Sequence, residues 1–180
     1  MSIPSADTTR AVFTIGHSTR PLEKLIGLLQ GHGVTRVVDV RTIPKSRHNP
    51  QYNADVLPAG LAQAGIGYTH LAPLGGLRHP RHDSVNTAWH NMSFRGFADY
   101  MQSPDFVKGL EELIELARHD QIAIMCAEAV PWRCHRSLIA DALLVRGFTV
   151  DEITGIKTTR SHALTGWAQV DGLKITYTAP

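Results

Sequence analysis

Both cysteines of the chain lie in one short polar segment that also contains a glutamate, a histidine and two arginines. The segment spans residues 126–136 and has the sequence CAEAVPWRCHR. Cationic neighbours and a helix start lower the pKa of a thiol and favour the nucleophilic thiolate. Cys134 stands beside His135 with an arginine on either side, so we predict it to be a nucleophile or an orienting group. Glu128 is a candidate for proton transfer.

Other kinds of site were tested against the same segment. The loop of cysteine-dependent phosphatases and sulfurtransferases has arginine six positions after the cysteine, but Trp132 occupies that position after Cys126 and Arg133 comes one residue late. A zinc ion needs about four ligands, and the segment offers four candidates: Cys126, Glu128, Cys134 and His135. Packing as a small apolar residue is a further alternative for Cys126. The segment therefore leaves nucleophilic, metal-binding and structural roles open.

Two more polar residues follow apolar runs typical of buried strands. His17 follows AVFTI, and its ordinary pKa of about 6.5 suits general acid–base chemistry; the alternative is a hydrogen bond to the loop backbone. Asp39 lies within RVVDVR, and a buried carboxylate is costly unless it is paired. Asp39 is therefore either an acid, a base or a metal ligand of the functional site, or the structural ion-pair partner of Arg41 or Arg36.

The elements around these residues alternate between strand and helix. Apolar runs predict strands at residues 11–15, 36–40, 66–71, 121–125 and 148–153, and helical periodicity predicts helices starting near residues 21, 57, 94, 104 and 135. This alternation favours an α/β fold with a mainly parallel sheet flanked by helices, a Rossmann-like three-layer arrangement. Ligands of such sheets bind beyond the carboxyl ends of the strands. We therefore expect His17, Arg41, Cys126 and Glu128 to line one cleft.

Composition sets the limits of this interpretation. The chain has 180 residues and is 43% hydrophobic, which suits a single domain over residues 11–180. Residues 1–10 are polar and are predicted to form a disordered tail without a signal core, as in a cytoplasmic protein. No apolar run is long enough to span a membrane, so we expect no membrane association. Residues 73–93 lack periodicity and are predicted to be a functional or disordered loop.

Charge indicates the kind of partner. A net charge of +2 is too small to predict nucleic-acid binding by itself, but basic residues cluster in three loops: Arg41, Lys45 and Arg47, then Arg78 and Arg81, then Arg133 and Arg136. A helix start attracts anions, and an arginine such as Arg136 can hold a phosphate or carboxylate. The rival explanation is that Arg136 neutralises a buried Glu128 or Asp39. An anionic small molecule or a nucleic acid is the expected partner.

Four motifs in a fixed order resemble the domain of unknown function 488 family. They are TIGHS at 14–18, VVDVR at 37–41 with Pro44 and Ser46, LGG at 74–76, and MCAE followed by CHR within 125–136. The resemblance covers roughly residues 12–155 and implies an α/β domain without a settled activity. It maps the shared positions onto His17, Ser18, Asp39, Arg41, Pro44, Ser46, Gly75, Gly76, Cys126, Glu128, Cys134, His135 and Arg136.

The sequence thus predicts an enzyme that acts on a phosphate-bearing ligand, a nucleotide or a nucleic acid. The predicted catalytic residues are His17, Asp39, Glu128 and Cys134. The predicted ligand-binding residues are Ser18, Arg41, Ser46, Gly75, Gly76, Cys126, His135 and Arg136. The alternatives are a non-catalytic nucleic-acid or anion binding module and a metal-binding or cysteine-dependent transferase. The sequence indicates no particular cofactor, metal or oligomeric state.

Overall fold

The computed structural model describes residues 11–180, which form a six-stranded sheet flanked by five helices. The strands are β1 (Val12–Gly16), β2 (Arg36–Asp39), β3 (Gly67–His70), β4 (Ile122–Cys126), β5 (Val150–Ile153) and β6 (Thr159–Ser161). Their order is β3-β2-β4-β1-β5-β6, parallel except where β6 runs antiparallel to β5. The predicted α/β fold with a mainly parallel sheet is confirmed.

The helices occupy the predicted segments. They are α1 (Leu22–Gly31), α2 (Leu57–Gln63), α3 (Met92–Tyr100), α4 (Pro104–His119) and α5 (Arg136–Leu144). At the start of α4, the Ser103 hydroxyl accepts a hydrogen bond from the Phe106 amide at 3.2 Å, and Pro104 occupies the first turn. This cap and the proline fix where the longest helix begins.

Two apolar cores, one on each face of the sheet, give the molecule three layers. Leu25 of α1 and Leu61 of α2 pack on one face with Val37 of β2. Helices α3, α4 and α5 cover the other face, where the next residue of β2, Val38, points. Successive strand residues therefore face opposite layers, and the inner strands β2, β4 and β1 are buried on both sides, whereas β6 at the edge is exposed.

The strand order creates a crevice between β1 and β4. The chain leaves β1 through α1 toward β2 on one side, whereas it leaves β4 through α5 toward β5 on the other side. Such a reversal between neighbouring parallel strands opens a crevice at their carboxyl ends, where ligands of open α/β sheets bind. His17 directly follows β1, and Cys126 ends β4, so both residues stand at this crevice.

The segments without clear periodicity are held by specific contacts. Asp99 of α3 accepts hydrogen bonds from the Arg81 amide, the Ser84 hydroxyl and the Asn86 amide group, which fixes much of the loop over residues 75–91. After β6, a hairpin of β7 (Gln169–Asp171) and β8 (Lys174–Thr176) leads to Tyr177, which is buried and donates to Asp141 at 2.8 Å.

The end of the chain therefore packs onto the core through Ile175 and Tyr177. The predicted disordered tail, residues 1–10, lies outside the described residues. None of the helices within residues 11–180 combines the length and the apolar character needed to cross a lipid bilayer.

Candidate functional site

A cavity of about 700 Å³ lies beyond the carboxyl ends of the central strands. We call it the main cavity. The predicted site residues that line it are His17, Ser18, Arg41, Ser46, Gly76, Cys126, Glu128, Cys134 and His135. The expected placement of His17, Arg41, Cys126 and Glu128 around one cleft is thus found. Asp39, Gly75 and Arg136 are not among the lining residues.

The cysteine segment lies directly across the end of β1. A Cβ atom at Gly16 would stand 1.7 Å from the Glu128 carbonyl oxygen, so only glycine permits this approach. The His17 and Ser18 amides donate to the carbonyls of Cys126 and Ala127 at 2.9 and 3.0 Å. Ser18 has a φ of 50°, which is uncommon for a residue other than glycine. These contacts bring the residues that follow β1 and β4 to the same wall of the cavity.

Asp39 and Arg41 form a buried ion pair behind that wall. The Arg41 guanidinium donates to Asp39 from Nε at 2.9 Å and from Nη2 at 2.7 Å, and its Nη2 also donates to the Tyr52 carbonyl. Burial lowers the pKa of Arg41, but Asp39 outweighs this and raises it. The Tyr68 hydroxyl donates to the same carboxylate at 2.6 Å. Asp39 is fully buried and committed to these donors, so its predicted catalytic role is replaced by the structural alternative.

Commitment to Asp39 also limits the predicted ligand-binding role of Arg41. The side chain lines the cavity but keeps only 8% of its surface exposed, and Nη1, the nitrogen without a carboxylate or carbonyl partner, faces His17 Nε2 at 3.4 Å. Arg41 therefore contributes mainly positive electrostatic potential to the cavity wall, rather than a free N–H donor for a ligand.

His17 is a neutral histidine with a defined orientation. Burial is the main cause that lowers its pKa to about 4, and the nearby Arg41 acts in the same direction. Nδ1 lies 2.7 Å from the Ser18 carbonyl oxygen, so Nδ1 carries the proton and Nε2 keeps its lone pair. The ring stacks on Tyr52 with centroids 4.1 Å apart. At neutral pH His17 can accept a proton at Nε2 but has none to give there.

The two cysteine sulfurs are in direct contact at the bottom of the main cavity. Cys134 Sγ lies 2.6 Å from Cys126 Sγ, and both thiols are free and buried. Burial opposes ionisation of Cys126, but the hydrogen bond from Cys134 and the positive charge of Arg136 outweigh it and lower the pKa of the Cys126 thiol. A neutral Cys126 thiol can instead donate to the Glu128 carbonyl oxygen, 3.6 Å away.

The same contacts have the opposite effect on Cys134. Burial and the neighbouring Cys126 sulfur raise the pKa of the Cys134 thiol. His135 does not compensate, because burial lowers its own pKa to about 4 and leaves it neutral. The expectation that flanking cations make Cys134 the thiolate is therefore corrected: the guanidinium of Arg136 reaches Cys126 instead.

Arg136 is fully buried beneath the cysteine segment. Its Nη1 donates to Cys126 Sγ and to the Glu128 carbonyl oxygen, both at 2.6 Å, and its Nη2 donates to Glu152 at 2.9 Å. Burial lowers the pKa of Arg136, but the negative charges of Cys126 and Glu152 raise it overall. Arg136 does not line the main cavity, and its internal hydrogen bonds favour the rival explanation, in which it neutralises a buried group, over the predicted ligand-binding role.

The carboxylate that pairs with Arg136 is also not one of those expected. It belongs to Glu152 of β5 rather than to Glu128 or Asp39. Glu152 was not among the residues predicted from the sequence. It could have been found as an acidic residue within the strand VDEI, because Asp39 was singled out by the same pattern, an acidic residue in an otherwise apolar strand.

Three charged side chains remain free to meet a ligand in the main cavity. Glu128, Lys45 and Arg133 line it and are exposed. None of them has an ion-pair partner within 4 Å among residues 11–180. The free cations thus lie at the rim of the cavity, whereas Arg41 and Arg136 are used inside the protein.

The glycine pair has a packing role. A Cβ at Gly76 would stand 2.5 Å from His135 Nδ1, so glycine lets the loop approach this ring, while His135 Nε2 bonds the Val40 carbonyl oxygen at 2.9 Å. Gly75 packs against Thr42 outside the cavity. Ser46 lines the cavity, and its hydroxyl accepts from the Asn49 amide at 3.1 Å. The loops that bear Ser46 and Gly76 line the cavity together with the cysteine segment.

The donor set considered for zinc is not assembled. Within the described part of the chain, no group of three or more histidine, cysteine, aspartate or glutamate side chains is placed to hold a metal ion. The Nε2 of His135 is turned to a backbone carbonyl, and the Glu128 side chain is exposed.

The sheet order and the paired thiols define an α/β domain with a cysteine-containing cleft at its topological switch point. The chain belongs to the family described as Domain of unknown function DUF488, whose model matches residues 21–143. The match includes Asp39 and the whole cysteine segment, whereas His17, Ser18 and Glu152 lie outside it. No curated protein and no solved structure matches the chain.

Proposed function

We propose that this protein is a cysteine-dependent transferase that acts on an anionic, phosphate-bearing substrate, with Cys126 as the nucleophile. The observation that carries the proposal is the environment of one sulfur atom. Cys126 Sγ lines the main cavity and accepts hydrogen bonds from Arg136 Nη1 and from the Cys134 thiol, both at 2.6 Å. Two donors and a fixed positive charge favour the thiolate, which is the reactive form of cysteine.

The step assigned to Cys126 is a nucleophilic displacement. The thiolate forms a bond to the electrophilic atom of the substrate while the bond to the leaving group breaks and the leaving group takes the electron pair. An acceptor hydroxyl or amine then displaces the sulfur and gives its proton to a base. The carboxylate of Glu128, which lines the main cavity and is exposed, can take that proton. Cys134 positions Cys126 by donating a hydrogen bond to it.

The charge of the substrate is inferred from the rim of the cavity. Lys45 and Arg133 are exposed cations that line it and have no carboxylate partner in the described chain. Cations without an internal partner retain their hydrogen-bonding capacity for phosphate oxygens. The exposed Glu128, which lies on the same segment as Arg133, would then orient the acceptor rather than the phosphate.

Alkylation of single cysteines tests the assignment of the nucleophile. In Cys134→Ser the remaining thiol is Cys126, and in Cys126→Ser it is Cys134, so iodoacetamide labelling followed by mass spectrometry reports each one alone. Cys126 is expected to react faster at pH 7 and to retain its rate at lower pH than Cys134 does. Added inorganic phosphate should slow the labelling of Cys126, and this protection should weaken in Lys45→Gln and Arg133→Gln. Equal and slow labelling of both thiols would refute the proposal.

A second candidate function involves the exposed cations at the rim of the main cavity but not the Cys126 thiol. Lys45, Arg47 and Arg133 are all exposed near the mouth of the main cavity or in its loops, an arrangement that also suits a non-catalytic nucleic-acid binding module. Binding of a single-stranded oligonucleotide would then weaken steeply with salt. It would also be unchanged in Cys126→Ser, which separates this function from the transferase.

We further infer a cytoplasmic location from the chemistry proposed for Cys126. The sulfurs of Cys126 and Cys134 are close enough to be oxidised to a disulfide, and the proposed nucleophile requires both thiols to stay reduced. The cytoplasm is a compartment that keeps thiols reduced. Localisation of a tagged full-length chain by fractionation tests this inference.

A further inference from the structure

A second cavity, separate from the main one, lies on the other side of Arg136. It has a volume of about 420 Å³ and is bounded by the start of α5, by β5 and by the segment that follows β6. The chain has three tryptophans, and all of them, Trp89, Trp132 and Trp167, line this cavity together with Arg136 and Arg160. We call it the tryptophan cavity.

Two buried N–H groups among the lining residues lack an acceptor. They are Trp89 Nε1 and Arg136 Nε, which are the buried side-chain nitrogens without a hydrogen-bond partner in the described part of the chain. The other two guanidinium nitrogens of Arg136 are fully used by Cys126, Glu152 and backbone carbonyls. Both donors belong to residues that line the same cavity, but the two nitrogen atoms themselves have almost no exposed surface. A ligand in the cavity would therefore interact with the rings and charges of the lining residues rather than with these two N–H groups.

The walls of the tryptophan cavity suit a flat ring. Trp89 and Trp167 meet edge to face with centroids 5.2 Å apart. Trp132 and Trp167 expose 59% and 47% of their surfaces, which is unusual for such large apolar side chains. Aromatic rings prefer offset-stacked or edge-to-face partners, so a planar aromatic molecule would cover these faces.

The charges in the tryptophan cavity favour an anionic substituent on that ring. The positive charge of Arg136 is balanced by Glu152, to which Thr14 also donates. Arg160 stands over the Trp132 ring at 5.7 Å and has no acidic partner within 4 Å in residues 11–180. His162 is held by Asp141. One uncompensated cation therefore remains among the lining residues.

We propose that the tryptophan cavity is a binding site for a planar aromatic or heteroaromatic carboxylate. The ring lies against Trp132 and Trp167, and the carboxylate pairs with the exposed guanidinium of Arg160. One such ligand accounts for the unpaired cation and for the exposed aromatic faces together. The site is distinct from the main cavity, and its occupation does not require the proposed thiol chemistry.

The chain offers a direct readout, because every tryptophan lines the cavity. Titration of the ¹⁵N-labelled protein with 2-naphthoate is followed through the three indole N–H resonances. We expect a saturable shift of all three, because the three side chains line the cavity. Acetate, which has the charge but no ring, should produce no saturable shift at the same concentrations. Shifts that rise linearly without saturation would refute the site.

Two variants and a control locate the binding. Arg160→Gln is expected to weaken 2-naphthoate about tenfold, the loss typical of one charged hydrogen bond, and Trp167→Ala should weaken it by a similar factor. Arg81→Gln removes an exposed arginine outside the cavity and should leave the affinity unchanged. Because Arg160 is exposed, its variant folds even if Trp167→Ala does not. Wild-type affinity in Arg160→Gln, or an equal loss in Arg81→Gln, would overturn the proposal.

Discussion

Arg136 and Glu152 form an ion pair inside the core, with Nη2 of the arginine 2.9 Å from Oε1 of the glutamate and side-chain exposures of 0% and 9%. The pair joins the first residue of α5 to β5 and holds the guanidinium against Cys126. The charge that tunes the thiol is thus held in place by a residue of β5 that does not line the main cavity. Substitutions at this pair should change stability and thiol reactivity together.

Arg136→Lys is expected to lower the free energy of unfolding by about 2–4 kcal/mol, because lysine keeps the charge but loses several charge-assisted hydrogen bonds in a buried site. Urea unfolding followed by circular dichroism measures the change. Arg81→Lys, at an exposed ion pair with Asp83, is the matched control and should leave the midpoint unchanged. A stable Arg136→Lys protein with weakened phosphate binding would instead restore the ligand role that the sequence suggested.

Asp39→Asn should be strongly destabilising, by about 3–5 kcal/mol, because it leaves the buried Arg41 without its counter-charge. Asp120→Asn is the comparison, since the Arg36–Asp120 pair is about a quarter exposed and should cost only about 0–1 kcal/mol. Thermal or urea unfolding of the two variants, side by side, checks the difference. Similar small losses in both would mean that Asp39 is not the structural anchor described above.

Stability should fall on mild acidification because of two histidines. The pKa values of His17 and His135 are about 4 in the folded protein, below the ordinary value of 6.5. Between pH 6.5 and 4 the unfolded chain therefore binds protons that the folded chain does not, and stability decreases as pH falls through this window. Each histidine contributes at most about 1.4 kcal/mol per pH unit to the slope.

Urea unfolding at a series of pH values measures that slope. His17→Gln and His135→Gln should each flatten it, whereas substitution of the exposed His82 should not. A slope that stays the same in both buried variants would show that other groups cause the acid sensitivity.

Much of the placement of the site residues could be predicted from the sequence, because it depends only on the order of apolar and polar residues along the chain. A run of apolar residues followed by a polar one marks the carboxyl end of a strand, and parallel strands bring those ends to one edge. This is why His17, Arg41, Cys126 and Glu128 were expected together and line one cavity. The order of the strands was not predictable in the same way, since β1 pairs with β4 and β5 rather than with β2.

The roles of individual side chains depended on contacts that no spacing reveals. Which cysteine faces the guanidinium follows from Arg136 being held by Glu152, sixteen positions further along the chain. The sequence contained both residues but not their contact, so Cys134 rather than Cys126 was expected to be the thiolate. For Asp39 the contact could be predicted, because Arg41 was one of the two ion-pair partners that the sequence suggested for it.

Arg136 connects the two cavities, because it donates through Nη1 to Cys126 Sγ, beside the main cavity, and is itself one of the residues that line the tryptophan cavity. The guanidinium carries one delocalised charge, so a carboxylate in the tryptophan cavity and the ionisation of Cys126 both interact with that charge. Thermodynamic linkage then makes the effect reciprocal: occupancy of one cavity changes the free energy of events in the other by the same amount. The affinity for 2-naphthoate should consequently vary with pH as Cys126 ionises, and that variation should be absent in Cys126→Ser. Identical pH profiles in the two proteins would show that the two cavities act independently.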